Sequence, residues 1–105
     1  MSTKKKQLRE DFRNVVFARD QYQCVFCPAK EHLDAHHITD RSKMPNGGYV
    51  EENGITLCPA HHLTAELFHI TNGEEWHQGF HPDDLYDRIS SSYDKAFEAS
   101  KKLKR

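Results

Sequence analysis

A small α+β fold stapled by a metal ion is the architecture this chain predicts, and three observations predict it. Cys24-Val25-Phe26-Cys27 and Cys58-Pro59-Ala60-His61 form a C-x-x-C and a C-x-x-H, two knuckles whose donors suit tetrahedral zinc. Short β-prone runs and segments of helical periodicity alternate around them. The chain has 105 residues, 36% hydrophobic and 30% charged, so its core is small and a staple is expected. The three cysteines cannot all pair with one another, and His61 completes the set. Thiolates favour zinc over hard cations, and a full set of protein ligands leaves no open position, so this site should hold structure.

Leu8, Phe12, Val15 and Val16 recur at i, i+4, i+7 and i+8, which predicts a helix over about residues 5–19 with one apolar face. It is expected to cover the zinc knuckle, which occupies the turn from Tyr22 to Lys30. Leu33 to Ile38 reads as a short strand. Successive strand residues face opposite sides, so His36 and His37 share a direction only if the chain bends there. Thr39 to Glu52, centred on Pro45-Asn46-Gly47-Gly48, reads as a loop and as the most mobile segment. Gly54 to Leu57 is a second short strand delivering Cys58, and Pro59 opens a helix on which His62, Glu66 and His69 share one face.

Thr71-Asn72-Gly73 ends that helix, and Trp76 to Phe80 is an aromatic connector. A further helix starts near Pro82, with Asp83 and Asp84 complementing its positive end. Its seam is Leu85, Ile89, Tyr93, Ala96, Ser100 and Leu103, with a kink expected at Ser90-Ser91-Ser92. There is no internal repeat. A single domain is expected over residues 1–105, with a core of about 19–70 and a C-terminal helical extension of about 81–103.

The net charge of −1 argues against coating duplex nucleic acid by electrostatics alone. Lys4, Lys5, Lys6 and Arg9 nevertheless cluster at one end, and Lys101, Lys102, Lys104 and Arg105 at the other, either as contacts or as solvated tails. No apolar stretch approaches the roughly 18–20 residues of a membrane span, and Met1-Ser2-Thr3-Lys4-Lys5-Lys6 leads into an amphipathic segment. A cytoplasmic protein, not secreted and without a membrane partner, is expected.

Eight histidines are more than packing requires. With Cys58 and His61 assigned, His36 and His62 remain as ligand candidates. A His cluster with too few protein ligands leaves room for water and a phosphate, which points to a metal-dependent nuclease.

Ala35-His36-His37-Ile38, Asn53-Gly54-Ile55-Thr56-Leu57-Cys58 and Cys58-Pro59-Ala60-His61-His62 together resemble the His-Asn-His (HNH, ββα-metal) endonucleases, over roughly Arg19 to His69. The resemblance implies a treble-clef-like ββα-metal core. It makes His37 the general base, His36 the strand ligand and His62 the helix ligand of a catalytic divalent ion, with Asn53 holding the intervening loop. An unperturbed histidine, with a pKa of about 6.5, is neutral enough to accept a proton near pH 7. One departure stands out. Family members with four structural cysteines usually end in Cys-x-x-Cys-His, whereas His61 stands where the fourth cysteine would be, which leaves His61 and His62 open to exchange of roles.

Glu66 lies at i+4 from His62, the spacing at which the colicin nucleases place two metal-binding histidines, and is the expected third ligand, with His69 the alternative. Mg²⁺, Mn²⁺, Ni²⁺ and Zn²⁺ all remain open as the catalytic ion. Arg41 and Lys43 are candidates to grip DNA phosphates. His32, His77 and His81 read as surface or capping residues. The implied activity is DNA phosphodiester hydrolysis, nicking or cutting both strands, to leave 5′-phosphate and 3′-hydroxyl ends. The implied setting is a bacterium or phage-infected host, with the chain acting alone or within a phage packaging or restriction machine. The competing reading is a non-catalytic zinc module that binds nucleic acid or protein.

Overall fold

Strand β1 (Asp34–His37) pairs antiparallel with β2 (Gly54–Leu57), His36 opposite Ile55 and His37 opposite Gly54. This computed structural model describes residues 2–103, with side chains from Lys4 onward; Met1, and Lys104 and Arg105 of the C-terminal basic cluster, lie outside the described residues. Around the two-stranded sheet stand α1 (Ser2–Arg19), α2 (Pro59–Ile70), α3 (Pro82–Arg88) and α4 (Tyr93–Lys101), which makes the chain α+β among the described residues. None of the described helices is long and apolar enough to cross a membrane.

The period of two along a strand decides what each face meets. Asp34 and His36 of β1, with Ile55 and Leu57 of β2, point to the side of α2. His37, Gly54 and Thr56 point to α1, whose Phe12 stacks on His37 at a ring separation of 4.4 Å. Both faces of β2 are therefore covered, and all of its residues are buried. Helix α1 thus lies on the sheet rather than over the zinc knuckle as expected. Arg19 donates to the carbonyl oxygens of Gly54 and Glu51, and Asp20 accepts from the Thr56 amide, so the end of α1 is tied to the outer edge of β2. Val25 of the knuckle donates to the Thr56 carbonyl on the same edge. Of the expected apolar stripe, Phe12 and Val16 are buried, while Val15 faces solvent because it precedes the sheet-facing position by 100° of helix turn.

The segment from Thr39 to Glu52 is not an untethered loop. It winds through short 3₁₀ turns at Arg41–Lys43, Pro45–Gly48 and Glu51–Asn53. Helix α4 packs on it, the Asn46 side-chain amide donates to the Ser100 carbonyl, and the Ser91 hydroxyl donates to the Glu52 carbonyl. The expected kinked helix is two helices. Ser90 takes a left-handed conformation (φ 57°) that ends α3, and the Ser92 hydroxyl caps α4 by accepting from the Lys95 amide. That break turns Tyr93 outward, and Tyr86, outside the predicted seam, is buried in its place.

Gly54 is required by close approach, not by backbone angle. A Cβ there would stand 2.4 Å from Val16 Cγ2 and 2.8 Å from the Phe12 ring. Gly54→Ala is expected to cost about 1–3 kcal/mol through overpacking, read as a lowered urea midpoint with an unchanged slope; an unchanged midpoint would show that α1 is not seated on β2 as described.

Candidate metal centres

Cys24 and Cys27 sit in the turn after α1, Cys58 at the end of β2 and His61 in the first turn of α2, and their ligand atoms all lie within 4.8 Å of one another. Cys27 Sγ is 3.8 Å from Cys58 Sγ, and His61 Nδ1 is 3.6 Å from Cys24 Sγ and 3.3 Å from Cys58 Sγ. Tetrahedral zinc, with Zn–S of about 2.3 Å and Zn–N of about 2.0–2.1 Å, requires S···S near ~3.8 Å and S···N near ~3.5 Å. The cluster can therefore hold a metal ion, and its donor chemistry and spacing fit zinc. The amide of His61 is the main influence pulling the Cys58 thiol down to about 6, helped by side-chain hydrogen bonds and opposed by burial, which favours the thiolate a metal needs. Phe26 and Phe80 stack beside His61, and the Arg88 guanidinium lies 4.2 Å over the Phe26 ring, so the C-terminal extension shields the clamp.

His61 and His62 do not exchange roles. Consecutive helical residues diverge by 100°, so with His61 turned into the cysteines, His62 faces β1. There it forms a second group with His36 and Glu66, whose ligand atoms also lie within 4.8 Å of one another. Glu66 Oε2 is 3.3 Å from His36 Nδ1 and 3.2 Å from His62 Nε2. Burial lowers the pKa of His36 against the opposing pull of Glu66, while the hydrogen bond from His36 leads the causes that lower the pKa of Glu66; the group is two imidazoles and a carboxylate. His36 Nε2 is buried with no hydrogen-bond partner among the described residues. Two imidazoles and one carboxylate fit a divalent cation with positions left for oxygen ligands.

Asp34 belongs to this site although the sequence reading passed over it. Its Oδ2 is 3.2 Å from His62 Nδ1, and this contact orients the ring with Nε2 toward Glu66. The signal was present: Asp34 is two residues before His36 and shares its strand face. His69, the alternative ligand, is engaged elsewhere. Its Nε2 donates to the His37 carbonyl at 2.9 Å, and its ring stacks on His36 at 5.2 Å.

His37 lies on the opposite face of β1, between Phe12 and the edge of Tyr49 at 4.9 Å. Burial, followed by the Arg41 charge, pushes it down to about 4, well below the expected 6.5. Its Nε2 is enclosed without a hydrogen-bond partner among the described residues. Arg41 and Lys43 diverge: Arg41 donates to the Tyr49 hydroxyl on the His37 side, whereas Lys43 donates to Asn72 at the end of α2. His81, read as a surface or capping residue, caps α3: Nδ1 accepts from the Asp83 amide, and Asp84 accepts from the His81 amide.

Asn53 is fully buried and spends every polar atom of its side chain. Oδ1 accepts from the Thr39 amide at 2.9 Å and the Tyr86 hydroxyl at 2.7 Å; Nδ2 donates to the carbonyls of Thr39 and Gly48 at 3.1 and 3.2 Å. Its backbone carbonyl accepts from Ile38 at 2.9 Å. The residue is thus a clamp between the exit of β1 and the entry to β2. Gly48 lets the clamp close, since a Cβ there would stand 2.7 Å from Asn53 Nδ2. Tyr86, pushed up to about 12 by burial, keeps its proton and remains a donor.

Two outcomes are expected. Purified protein should carry zinc, and EDTA should remove it with collapse of the near-ultraviolet circular dichroism, because clamp binding energy is folding energy; a zinc-free protein indifferent to chelation would refute the clamp. Asn53→Ala should destabilise by more than about 2 kcal/mol in urea unfolding, since it strands several buried donors and acceptors, whereas a loss below about 0.5 kcal/mol would refute the clamp role. No protein-family model matches this chain, and no curated protein or solved structure matches it.

Proposed function

We propose that this chain is a metal-dependent HNH endonuclease with a treble-clef-like ββα-metal core that hydrolyses DNA phosphodiester bonds. One observation carries the reading: the donor group of His36, His62 and Glu66 lies one helix residue from the Cys3His cluster, with His37 next to His36 on β1 and Asn53 bridging the exit of β1 and the entry to β2. Phosphodiester hydrolysis needs an aligned water that loses a proton and relief of charge on the phosphate and the departing oxygen. A divalent ion, when bound, supplies Lewis-acid stabilisation of both.

His36, His62 and Glu66 are the residues that would hold that ion, and Asp34 would keep the His62 ring in register. His37 is kept neutral by burial, so it has a lone pair to offer throughout the neutral range. With Nε2 enclosed, Nδ1 is the nitrogen that takes the proton from water. A pKa near 4 makes the ring a weaker base than free imidazole but quick to return the proton to solvent. The metal donors lie on the α2 face of β1 and His37 on its α1 face, one residue apart along the strand. Asn53 holds the backbone on which His37 sits. The products are 5′-phosphate and 3′-hydroxyl ends.

A second reading, a non-catalytic zinc module, is favoured by one observation: Asp34, His62, Glu66 and His36 contact one another in a continuous series, which would give these side chains a structural role. Plasmid nicking separates the two. Supercoiled DNA should relax in the presence of Mg²⁺ or Mn²⁺, and His37→Ala should lower the rate at least about 100-fold with zinc content and circular dichroism intact. Equal nicking by that variant would reject His37 as base, and no nicking by the parent chain with Mg²⁺, Mn²⁺, Ni²⁺ or Zn²⁺ would favour the module.

A further inference from the structure

The basic residues at the start of α1 are unused by the chemistry above, yet the fold brings one of them to the His37 side of the sheet. A surface cavity of about 300 Å³ is lined by Lys5 and Leu8 of α1, by Asp40, Arg41 and Ser42 of the turn after β1, and by Gly47 and Tyr49. Tyr49 forms its link to the proposed reaction centre. The ring meets His37 edge-on at 4.9 Å, and the hydroxyl accepts from Arg41 Nη1 at 3.1 Å, which fixes the guanidinium at the cavity wall. Arg41 is also close enough to His37 to depress its basicity.

We infer that this cavity is a phosphate-binding groove for a nucleic-acid strand, with Lys5 and Arg41 contacting backbone phosphates that neighbour the scissile one. It rests on the nuclease reading for the identity of its ligand. Lys5 and Arg41 are both exposed, so their charges are available to an incoming anion. The one acidic group in the lining, Asp40, spends a carboxylate oxygen on the Ser42 amide and hydroxyl, capping the 3₁₀ turn that carries Arg41, so that in the lining its charge is set against two cations. The Ser42 hydroxyl is committed to that cap. The two cations therefore stand on separate elements, α1 and the β1 exit turn, and bracket a space bounded by the apolar Leu8 and the Tyr49 ring. Two cations flanking an elongated chain of phosphates supply position and salt-dependent affinity but no sequence readout. Lys43 is outside the groove, since its ammonium is held by Asn72 on the far side of the turn.

The groove is tested by binding, separately from cleavage. Fluorescein-labelled duplex DNA is titrated with the full chain in Ca²⁺ buffer, at a series of salt concentrations, using the parent protein, Lys5→Gln, Arg41→Gln and, as control, Lys30→Gln at an exposed lysine of the knuckle. Each groove variant should weaken binding and reduce the slope of log affinity against log salt by about 0.9, so that the affinity lost between 50 and 200 mM salt shrinks by about 3.5-fold. Lys30→Gln should match the parent. Parent-like affinity and slope in both groove variants, or no measurable binding of the parent chain to duplex or single-stranded DNA, would overturn the proposal. The two readings fail separately. Nicking that persists with unchanged KM in Lys5→Gln and Arg41→Gln removes the groove and leaves the hydrolase; binding sensitive to both substitutions without any nicking removes the hydrolase and leaves the groove.

Discussion

The rotational phase of α2 is the constraint on which the rest depends. Cys58 follows β2 and stands immediately before α2, and His61, in the first helical turn, is directed at the three cysteines. A helix has only one phase that satisfies that contact. Once it is set, His62 must face β1, and Glu66, one turn on, must lie beside it. The position of His61 in the Cys3His group thereby aims the second donor group. The hydrophobic cluster around Ile38, Ile55, Leu57 and Ala65 fills the space between sheet and helix and keeps the phase from slipping.

Alternation along β1 supplies a complementary constraint. Adjacent histidines on an extended strand cannot share surroundings, and here they have opposite ones. His36 is buried among His62, Glu66 and His69; His37 is stacked on Phe12 and meets Tyr49 edge-on. Two titratable groups one residue apart are thereby assigned to different environments. In both cases burial lowers basicity and keeps the imidazole neutral. A neutral ring is the form that can ligate a cation or accept a proton.

The C-terminal helices, which share no motif with the central segment, reach it through hydrogen bonds. Tyr86 of α3 closes the Asn53 network, and the Thr39 hydroxyl donates back to Tyr86 at 2.7 Å. Ser91 and Ser100 hold the same connecting segment further along. Asn53 without Tyr86 would retain its backbone partners but lose the donor that enters from outside the strand-loop-strand unit. Buried polar networks of this kind are stable only when every member is satisfied, which gives the extension a structural reason to exist.

The local grammar of the sequence determined a good deal. The knuckle spacing identified the Cys24, Cys27, Cys58 and His61 group, the helical spacing joined Glu66 to His62, and the strand period foretold that His36 and His37 would part. These patterns are legible because they depend on backbone geometry over a few residues. Only the tertiary structure decided that α1 covers the His37 face instead of the knuckle, that Val15 and Tyr93 face solvent, that Arg41 and Lys43 serve different cavities, and that Tyr86 completes Asn53. Each of those outcomes depends on partners brought together from distant parts of the chain, and no local period encodes which face of one element will meet which face of another. The depressed basicity of His37 has the same origin: the residue type sets its ordinary value, but the desolvation that moves it comes from α1 folding over the ring.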